Sequence, residues 1–225
     1  MSIQRHWLDT YDEDYPETDG APMAESTDQF DWIVRIKENL EILFTKRDDV
    51  FVAGDLFWYP ERSMNASIRA APDAMVVLGR PKGPRRCYKQ WQEDNIGPQV
   101  VFEVRSHSNT ARDMRQKLAF YDRYAVQEYY VYDPQRNKLE IYQRGDKGLV
   151  RAAHIGDWVS PLLQIRFSMK PGTLEVYYPD GTPFRSPVEL AWQTEQLQQQ
   201  AEQLQQQAAR MAERLRSLGI DPDTL

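Results

Sequence analysis

The chain has 225 residues, which is enough for one domain with a substantial apolar core and an additional segment. Its 41% hydrophobic and 28% charged content is that of a globular protein, and the net charge of −6 excludes a protein whose overall field attracts nucleic acid or anionic membranes. A single cysteine, Cys87, excludes an internal disulfide and a Cys-based zinc site, and three scattered histidines do not favour a His-rich one.

The N-terminal residues lack a basic stretch followed by an apolar one, which is the pattern of a secretory signal. No run approaches the roughly 18 apolar residues of a membrane-spanning helix. We therefore expect a cytoplasmic location and no membrane contact.

Charge is distributed unevenly along the chain. Between Arg5 and Arg35 all charged residues are acidic, whereas between Gly79 and Gln92 all are basic. Residues 1–24 are predicted to form an acidic N-terminal arm, either wrapped around the domain or mobile.

The predicted elements follow from apolar periodicity and turn signals. A helix begins near the candidate caps Ser26, Thr27 and Asp28 and runs to Phe44, because apolar residues recur there at helical spacing. A second helix is predicted over residues 111–124. Strands are predicted at 50–53, 56–59, 74–78, 100–104, 128–132, 139–142, 149–153, 165–167 and 174–178, with 128–132 and 139–142 forming a hairpin and 79–98 a long loop. This order predicts an α/β domain over residues 25–186, with a mixed sheet flanked by helices.

The character of the sequence changes at Pro187. Leu190, Leu197, Leu204, Met211 and Leu218 recur every seven residues, with Thr194, Ala201, Ala208 and Leu215 in the alternate positions. Apolar residues at both heptad positions predict a coiled-coil helix over 187–218, a C-terminal tail over 219–225, and a homodimer held through 190–218. The alternative is a single helix that packs on its own domain.

Two acidic residues lie in apolar, strand-like stretches. Asp73 precedes the run 74–78, and Glu103 lies inside Val100–Val104. A charge buried in a strand is costly unless something pairs with it, so the two acids favour a shared cation. Strand alternation places Glu103 and Arg105 on the face opposite to Phe102 and Val104.

Several short stretches, in order, resemble the putative restriction endonuclease family of the PD-(D/E)XK nuclease superfamily. They are Pro16–Gly20 with Met23–Ser26, Ala71–Asp73, Glu103–Val104 with Ser106, the series Asp113, Lys117 and Tyr121 at four-residue spacing, and Glu128–Tyr129 with Asp133–Pro134. The resemblance covers slightly more than half of the chain. It implies a restriction endonuclease-like fold and a Mg²⁺-dependent endonuclease acting on DNA, with Mn²⁺ as a substitute metal.

The resemblance also implies roles for individual residues. Asp73, Glu103 and the backbone carbonyl of Val104 would hold the metal, and Lys117 would lie beside the attacking water. Glu25 matches the family's additional acidic residue. Arg105 stands where a simple Glu-x-Lys motif would place lysine; arginine stays protonated and is suited to clamping a phosphate rather than to acting as a base.

Each of these residues also has a structural interpretation. Glu103 could form an ion pair with Arg105 or Lys117, and Lys117 could pair with Asp113 one turn away. Asp113 is better interpreted as a first-turn helix charge, and Glu25 could merely favour a helix N-terminus.

The basic segment between Arg80 and Trp91 has two interpretations as well. Its cations, Arg85 and Arg86 among them, could contact a nucleic-acid backbone, or its aromatic residues could pin a solvated loop to the domain.

Other functions remain open on the sequence alone. One is a catalytically silent binding or scaffold module that oligomerises through the coiled coil. Another keeps the chemistry and changes the substrate to RNA or branched DNA, because a hydrolytic site contacts phosphodiesters rather than bases.

Overall fold

A computed structural model describes residues 15–18, 20, 22–63, 66–153 and 156–217. Most of the predicted N-terminal arm, Leu218 of the heptad pattern and the predicted tail 219–225 lie outside these ranges. The chain separates into two compact units, Met1–Phe184 and Arg185–Leu225.

The first unit contains two helices and eleven strands among its described residues. The helices are α1 (Thr27–Leu43) and α2 (Ala111–Arg123). The strands are β1 (Val50–Ala53), β2 (Trp58–Tyr59), β3 (Ala74–Leu78), β4 (Tyr88–Lys89), β5 (Val100–Val104), β6 (Glu128–Asp133), β7 (Lys138–Gly145), β8 (Gly148–Arg151), β9 (Trp158–Val159), β10 (Arg166–Lys170) and β11 (Thr173–Tyr177).

Six strands form the central sheet in the order β1-β3-β5-β6-β7-β8. Only β5 and β6 run parallel to each other, joined through α2, and the other neighbours are antiparallel. A three-stranded sheet, β11-β10-β9, and a short parallel pair, β2-β4, complete the unit. The predicted α/β fold with a mixed sheet between helices is therefore confirmed, and so is the hairpin of β6 and β7.

Each face of the central sheet is covered by a different helix. On one face α1 packs Trp32, Ile33 and Leu40 against Phe102 and the small sheet. On the other face α2 contributes Tyr121, Met114 and Leu118 to a core with Val101, Tyr129 and Trp58. Burying an apolar side chain of this size contributes about 1.5–3 kcal/mol, so these two clusters fix both helices against the strands.

Both helix starts follow from their capping residues. Ser26 Oγ accepts a hydrogen bond from the backbone N–H of Gln29, as the candidate caps predicted. Thr110 and Asp113 form a reciprocal capping box at the start of α2. Asp113 is thus committed to the helix terminus, as its first-turn position predicted, and of the two alternative ion pairs of Lys117 the structure shows the one with Glu103.

The predicted long loop is partly structured. It contains β4 and a 3-10 turn at Gln90–Gln92, and the pairing of β4 with β2 was not predicted from the sequence. Glu93 accepts from both Arg80 and Arg85, which ties the two ends of the loop together.

The second unit has one described element, helix α3 (Pro187–Ser217). Several of its apolar heptad side chains are exposed, namely Leu197, Leu204 and Met211, together with Val188 and Trp192 outside that heptad position. In the described part of the chain, no helix combines the length and apolar character needed to cross a bilayer.

Candidate active site

Asp73 and Glu103 face each other across two neighbouring strands. Ala74 of β3 lies opposite Phe102 of β5, and the same antiparallel register carried one residue further places Asp73 opposite Glu103. Facing residues of an antiparallel pair project from the same side of the sheet. Both are buried, with Glu103 only 2% exposed, so two carboxylates lie together on the face that α2 covers.

Glu103 is held by two side chains of α2. Lys117 Nζ lies 2.5 Å from Glu103 Oε2, and the hydroxyl of Tyr121 donates to Oε1 over 2.5 Å. Lys117 and Tyr121 are four residues apart, so they lie one above the other on the same side of the helix. The side chain of Lys117 is a third exposed, so its ammonium lies at the border between the core and solvent.

Asp73 is anchored by the backbone of the neighbouring strand. Its Oδ2 accepts the N–H of Val104 over 2.6 Å. Burial, reinforced by the charge of Glu103, holds the pKa of Asp73 well above its ordinary value of 3.8. Two like charges in a buried site disfavour each other, so this pair gains from any nearby positive charge.

Lys117 supplies one such charge. Burial alone would lower its pKa, but the carboxylates of Glu103 and Asp73 outweigh burial and hold the pKa above its ordinary value of 10.5. Lys117 is therefore a cation at neutral pH. It is suited to orienting a water molecule and stabilising negative charge rather than to removing a proton.

The carbonyl of Val104 is bonded to a side chain that the sequence analysis did not single out. Gln29 donates its amide to Val104 O over 2.9 Å, and its Oε1 accepts the backbone N–H of Glu25 over 2.9 Å. Gln29 stands three residues after the cap Ser26, the spacing of a capping box. Its side chain is nevertheless turned towards β5, so that spacing does not reveal its contact with Val104.

Glu25 lies beside the turn that follows β5. It accepts hydrogen bonds from the hydroxyl and the backbone N–H of Ser108. These bonds, the hydroxyl of Ser108 first, lower the pKa of Glu25 below its ordinary value of 4.5. Its connection to the acid pair runs through Gln29, and its catalytic role stays a prediction.

The three predicted substrate-binding arginines lie in different environments. Arg105 donates to the carbonyl of Asn109 over 2.9 Å and lies 3.7 Å from Asp133. The side chain of Arg85 is 4% exposed, with its guanidinium bound to Glu93 and over the ring of Phe51. Arg86 is exposed and forms an ion pair with Glu17. The geometry at Arg85 favours the structural interpretation of the loop, while the surface position of Arg86 leaves both interpretations open.

Asp73, Glu103, Val104 and Lys117 are thus brought together. Tyr121 is the residue of the cluster whose role sequence reasoning missed. The signal was present, since Tyr121 follows Lys117 at the four-residue spacing that places both on one side of a helix.

The donor set fits a magnesium ion. Two carboxylates and a backbone carbonyl are hard oxygen ligands, and Mg²⁺ is commonly held by one or two carboxylates while it keeps several waters. Among the described residues no group of three or more His, Cys, Asp and Glu side chains is placed to hold a metal. A bound divalent cation would relieve the mutual repulsion of Asp73 and Glu103.

Comparison with known proteins decides the family. The family described as Uma2, putative restriction endonuclease, matches residues 17–170, a span that includes α1, both acids and α2. The chain belongs to this family. The Uma2 assignment confirms the resemblance expected from the sequence and supports a nuclease.

Solved structures give further matches. Five chains match significantly, and one is a crystal structure of a putative nuclease belonging to DUF820 from Anabaena variabilis ATCC 29413. That chain is 11% identical to this one, covers 62% of it and is itself covered over 74%, with a TM-score of 0.46. A search of curated proteins gave no match.

Proposed function

We propose that this Uma2 protein is a Mg²⁺-dependent endonuclease that hydrolyses phosphodiester bonds in DNA. The observation that carries the proposal is the buried pair Asp73 and Glu103 on one face of the sheet with the Lys117 ammonium 2.5 Å from Glu103. The family assignment supports a nuclease, and the metal, the substrate and the residue roles are parts of our proposal.

The reaction adds the oxygen of a water molecule to the phosphorus atom and breaks the phosphorus bond to one sugar oxygen. The water loses one proton and the departing oxygen gains one. When bound, Mg²⁺ would act as a Lewis acid and would lower the pKa of a water molecule that it binds. Asp73, Glu103 and the carbonyl of Val104 are the groups that would hold it.

The remaining residues act by position and charge. Lys117 faces the acids as a cation and is placed to orient the attacking water and to offset the charge that develops on the phosphate oxygens. Tyr121 fixes one oxygen of Glu103, and Gln29 fixes the carbonyl of Val104. Glu25 is proposed to hold a water at the edge of the site.

The test is cleavage of supercoiled plasmid with Mg²⁺ or Mn²⁺, beside Asp73→Ala and Lys117→Ala. We expect nicking or linearisation by the unmodified protein and loss of both products in the two variants. Cleavage that persists in Asp73→Ala would show that this site is not the source. Stable protein without any cleavage of plasmid, single-stranded or branched DNA would instead favour a scaffold.

We propose in addition that α3 pairs two copies of the chain. Leu197, Leu204 and Met211 are 57%, 65% and 71% exposed, and their heptad spacing is that of a coiled-coil seam. A homodimer would supply two sites related by a twofold axis, one for each strand of a duplex. Light scattering on the full chain and on residues 1–186 tests this, with a dimer expected only for the full chain.

A further inference from the structure

A cavity of about 240 Å³ lies between the first half of α2 and strands β6 and β7. The mechanism proposed above does not use it. Its lining includes Arg105, Met114, Arg115, Leu118, Tyr129 and Tyr142.

This cavity adjoins the acid pair on the same face of the sheet. Glu103 lies across from Val131 of β6, and Val131 lies across from Glu140 of β7. Neighbouring strands are about 4.8 Å apart, so the cavity floor begins about 5 Å from Glu103 in the plane of the sheet and extends to about 10 Å. The two sites are also joined by packing, because the ring of Tyr121 lies 4.9 Å from that of Tyr129.

Two polar atoms at this cavity have no partner within the described structure. The hydroxyl of Tyr129 and Nε of Arg105 are both buried and without a hydrogen bond, and Tyr129 is 1% exposed. An unpaired buried polar group costs about 1–3 kcal/mol. Arg105 is held by a hydrogen bond to the carbonyl of Asn109 and by a longer contact to Asp133, neither of which uses its Nε.

The charge around the cavity favours an anion. Glu140 is already engaged by Lys138, Arg151 and the hydroxyl of Tyr142, and no acid of the described residues forms an ion pair with Arg115 at the rim. The cations at and near the cavity are Arg105, Arg115, Lys117, Arg136, Lys138 and Arg151, and the acids are Asp73, Glu103, Asp133 and Glu140, which leaves an excess of positive charge.

The walls between these charges are flat and apolar. The rings of Tyr129 and Tyr142 are stacked at 5.5 Å, and Met114 and Leu118 close the helix side. The volume lies below the roughly 300–1,000 Å³ of sites for drug-sized ligands, so the cavity suits a ligand no larger than about one nucleotide. A base that packs on Tyr142, Met114 and Leu118, with its phosphate at the Arg115 rim, matches this lining.

We infer that this cavity binds one unpaired nucleotide of the substrate strand, next to the phosphate at the Asp73 and Glu103 site. The inference rests on the proposed nuclease function and gives it a substrate class. A base within an intact duplex cannot enter, so the preferred substrate is single-stranded or locally unpaired nucleic acid.

The test has a binding arm that needs neither metal nor catalysis. The full chain in EDTA is titrated with deoxyadenosine 5′-monophosphate and with inorganic phosphate, as unmodified protein, Arg115→Gln and the control Arg112→Gln. Arg112 is an exposed cation of the same helix that does not line the cavity. We expect the nucleotide to bind more tightly than phosphate, Arg115→Gln to weaken it at least tenfold, and Arg112→Gln to leave it unchanged. No nucleotide binding, equal binding of phosphate, or equal loss in both variants would overturn the inference.

The second arm compares cleavage of one oligonucleotide as a single strand and within a duplex. The unmodified protein and Arg112→Gln should favour the single strand, and Arg115→Gln should lose that preference. Nucleotide binding without any cleavage would support the inference that the cavity binds a nucleotide and would contradict the proposed nuclease activity. Cleavage that shows no preference for the single strand and no response to Arg115→Gln would contradict nucleotide binding at the cavity and leave the proposed nuclease activity intact.

Discussion

Lys117 Nζ lies 2.5 Å from Oε2 of Glu103 and completes an ion pair in which the carboxylate is almost wholly buried and the ammonium is partly exposed. A buried acid with one partner would be an ordinary structural pair. Here a second acid, Asp73, lies opposite, and Tyr121 fixes the other oxygen of Glu103. The site thus holds two acids against one ammonium, a net charge of −1 when both acids are ionised, which favours the binding of a cation.

Replacing Lys117 with methionine should reduce cleavage about 10²–10³-fold, the usual cost of removing one preorganised electrostatic contact to a transition state. The apolar stem is kept, so packing changes little. Cleavage rate at saturating Mg²⁺ is the measurement, taken well below the melting temperature because Glu103 loses its partner. Arg112→Met on the exposed side of α2 is the matched control and should retain full activity. Equal rates for Lys117→Met and the unmodified protein would remove Lys117 from the mechanism.

Tyr121→Phe removes only the hydroxyl that donates to Glu103. Hydrogen bonds to charged groups contribute about 1.5–3 kcal/mol, so the variant should melt several degrees lower. A positioning role predicts a second effect, a higher Mg²⁺ concentration for half-maximal cleavage, because Glu103 is no longer fixed. The control is Tyr124→Phe, one turn further along the chain, which removes a hydrogen bond to the half-buried Glu61. A lower melting temperature with an unchanged Mg²⁺ requirement would show that Tyr121 is structural only.

The elements of this fold are largely predictable because the signals are local. The apolar runs of β3 and β5, the caps Ser26 and Thr110, and the alternation that turns Glu103 away from Phe102 all lie within a few residues. The strand order is not local. Strand β5 pairs antiparallel with β3 and parallel with β6, and both pairings depend on contacts between residues far apart in sequence.

The charged residues of the site could be predicted from the sequence, but the side chains that hydrogen-bond to them could not. An acid in an apolar strand is visible in the sequence, whereas a tyrosine on a buried helix stripe gives the same pattern whether or not its hydroxyl has a partner. Arg85 is an example of a residue whose sequence context suggested a function that its contacts do not favour. A cation in a basic segment resembles a DNA contact, but pairing with Glu93 is decided by how the loop folds back.

Asp73→Asn should stabilise the metal-free protein. Burial and Glu103 raise the pKa of Asp73, so the folded state holds this proton more tightly than the unfolded state does. The stability contributed by this group is therefore lost as pH rises from 3.8 through the raised pKa. Asparagine carries no charge and can still accept the N–H of Val104, so it avoids this loss.

We expect Asp73→Asn in EDTA to melt a few degrees above the unmodified protein at pH 8, since about 1 kcal/mol corresponds to ~2–4 °C for a chain of this size. The difference should shrink towards pH 5. Added Mg²⁺ should raise the melting temperature of the unmodified protein alone. Calorimetry that finds the variant less stable at every pH would contradict the like-charge account.

Glu128 provides a contrast with Glu103, because it is an equally buried glutamate on the neighbouring strand. Its carboxylate accepts from Ser160 Oγ, from the hydroxyl of Tyr130 and from the N–H of Leu162, and Tyr130 places it on the face covered by α1. A buried acid in a strand is thus no sign of catalysis when neutral donors satisfy it on the face away from the site.

Glu128→Gln replaces one acceptor oxygen with a donor and should cost about 2 kcal/mol, or roughly 4–8 °C in melting temperature. Because the side chain faces away from Asp73, the cleavage rate of the folded variant should stay within about twofold of the unmodified protein. Glu103→Gln should abolish cleavage. Melting curves and cleavage rates measured on both variants separate the two roles, and a catalytic loss in Glu128→Gln at a temperature where it is folded would show that the two faces of the sheet are coupled.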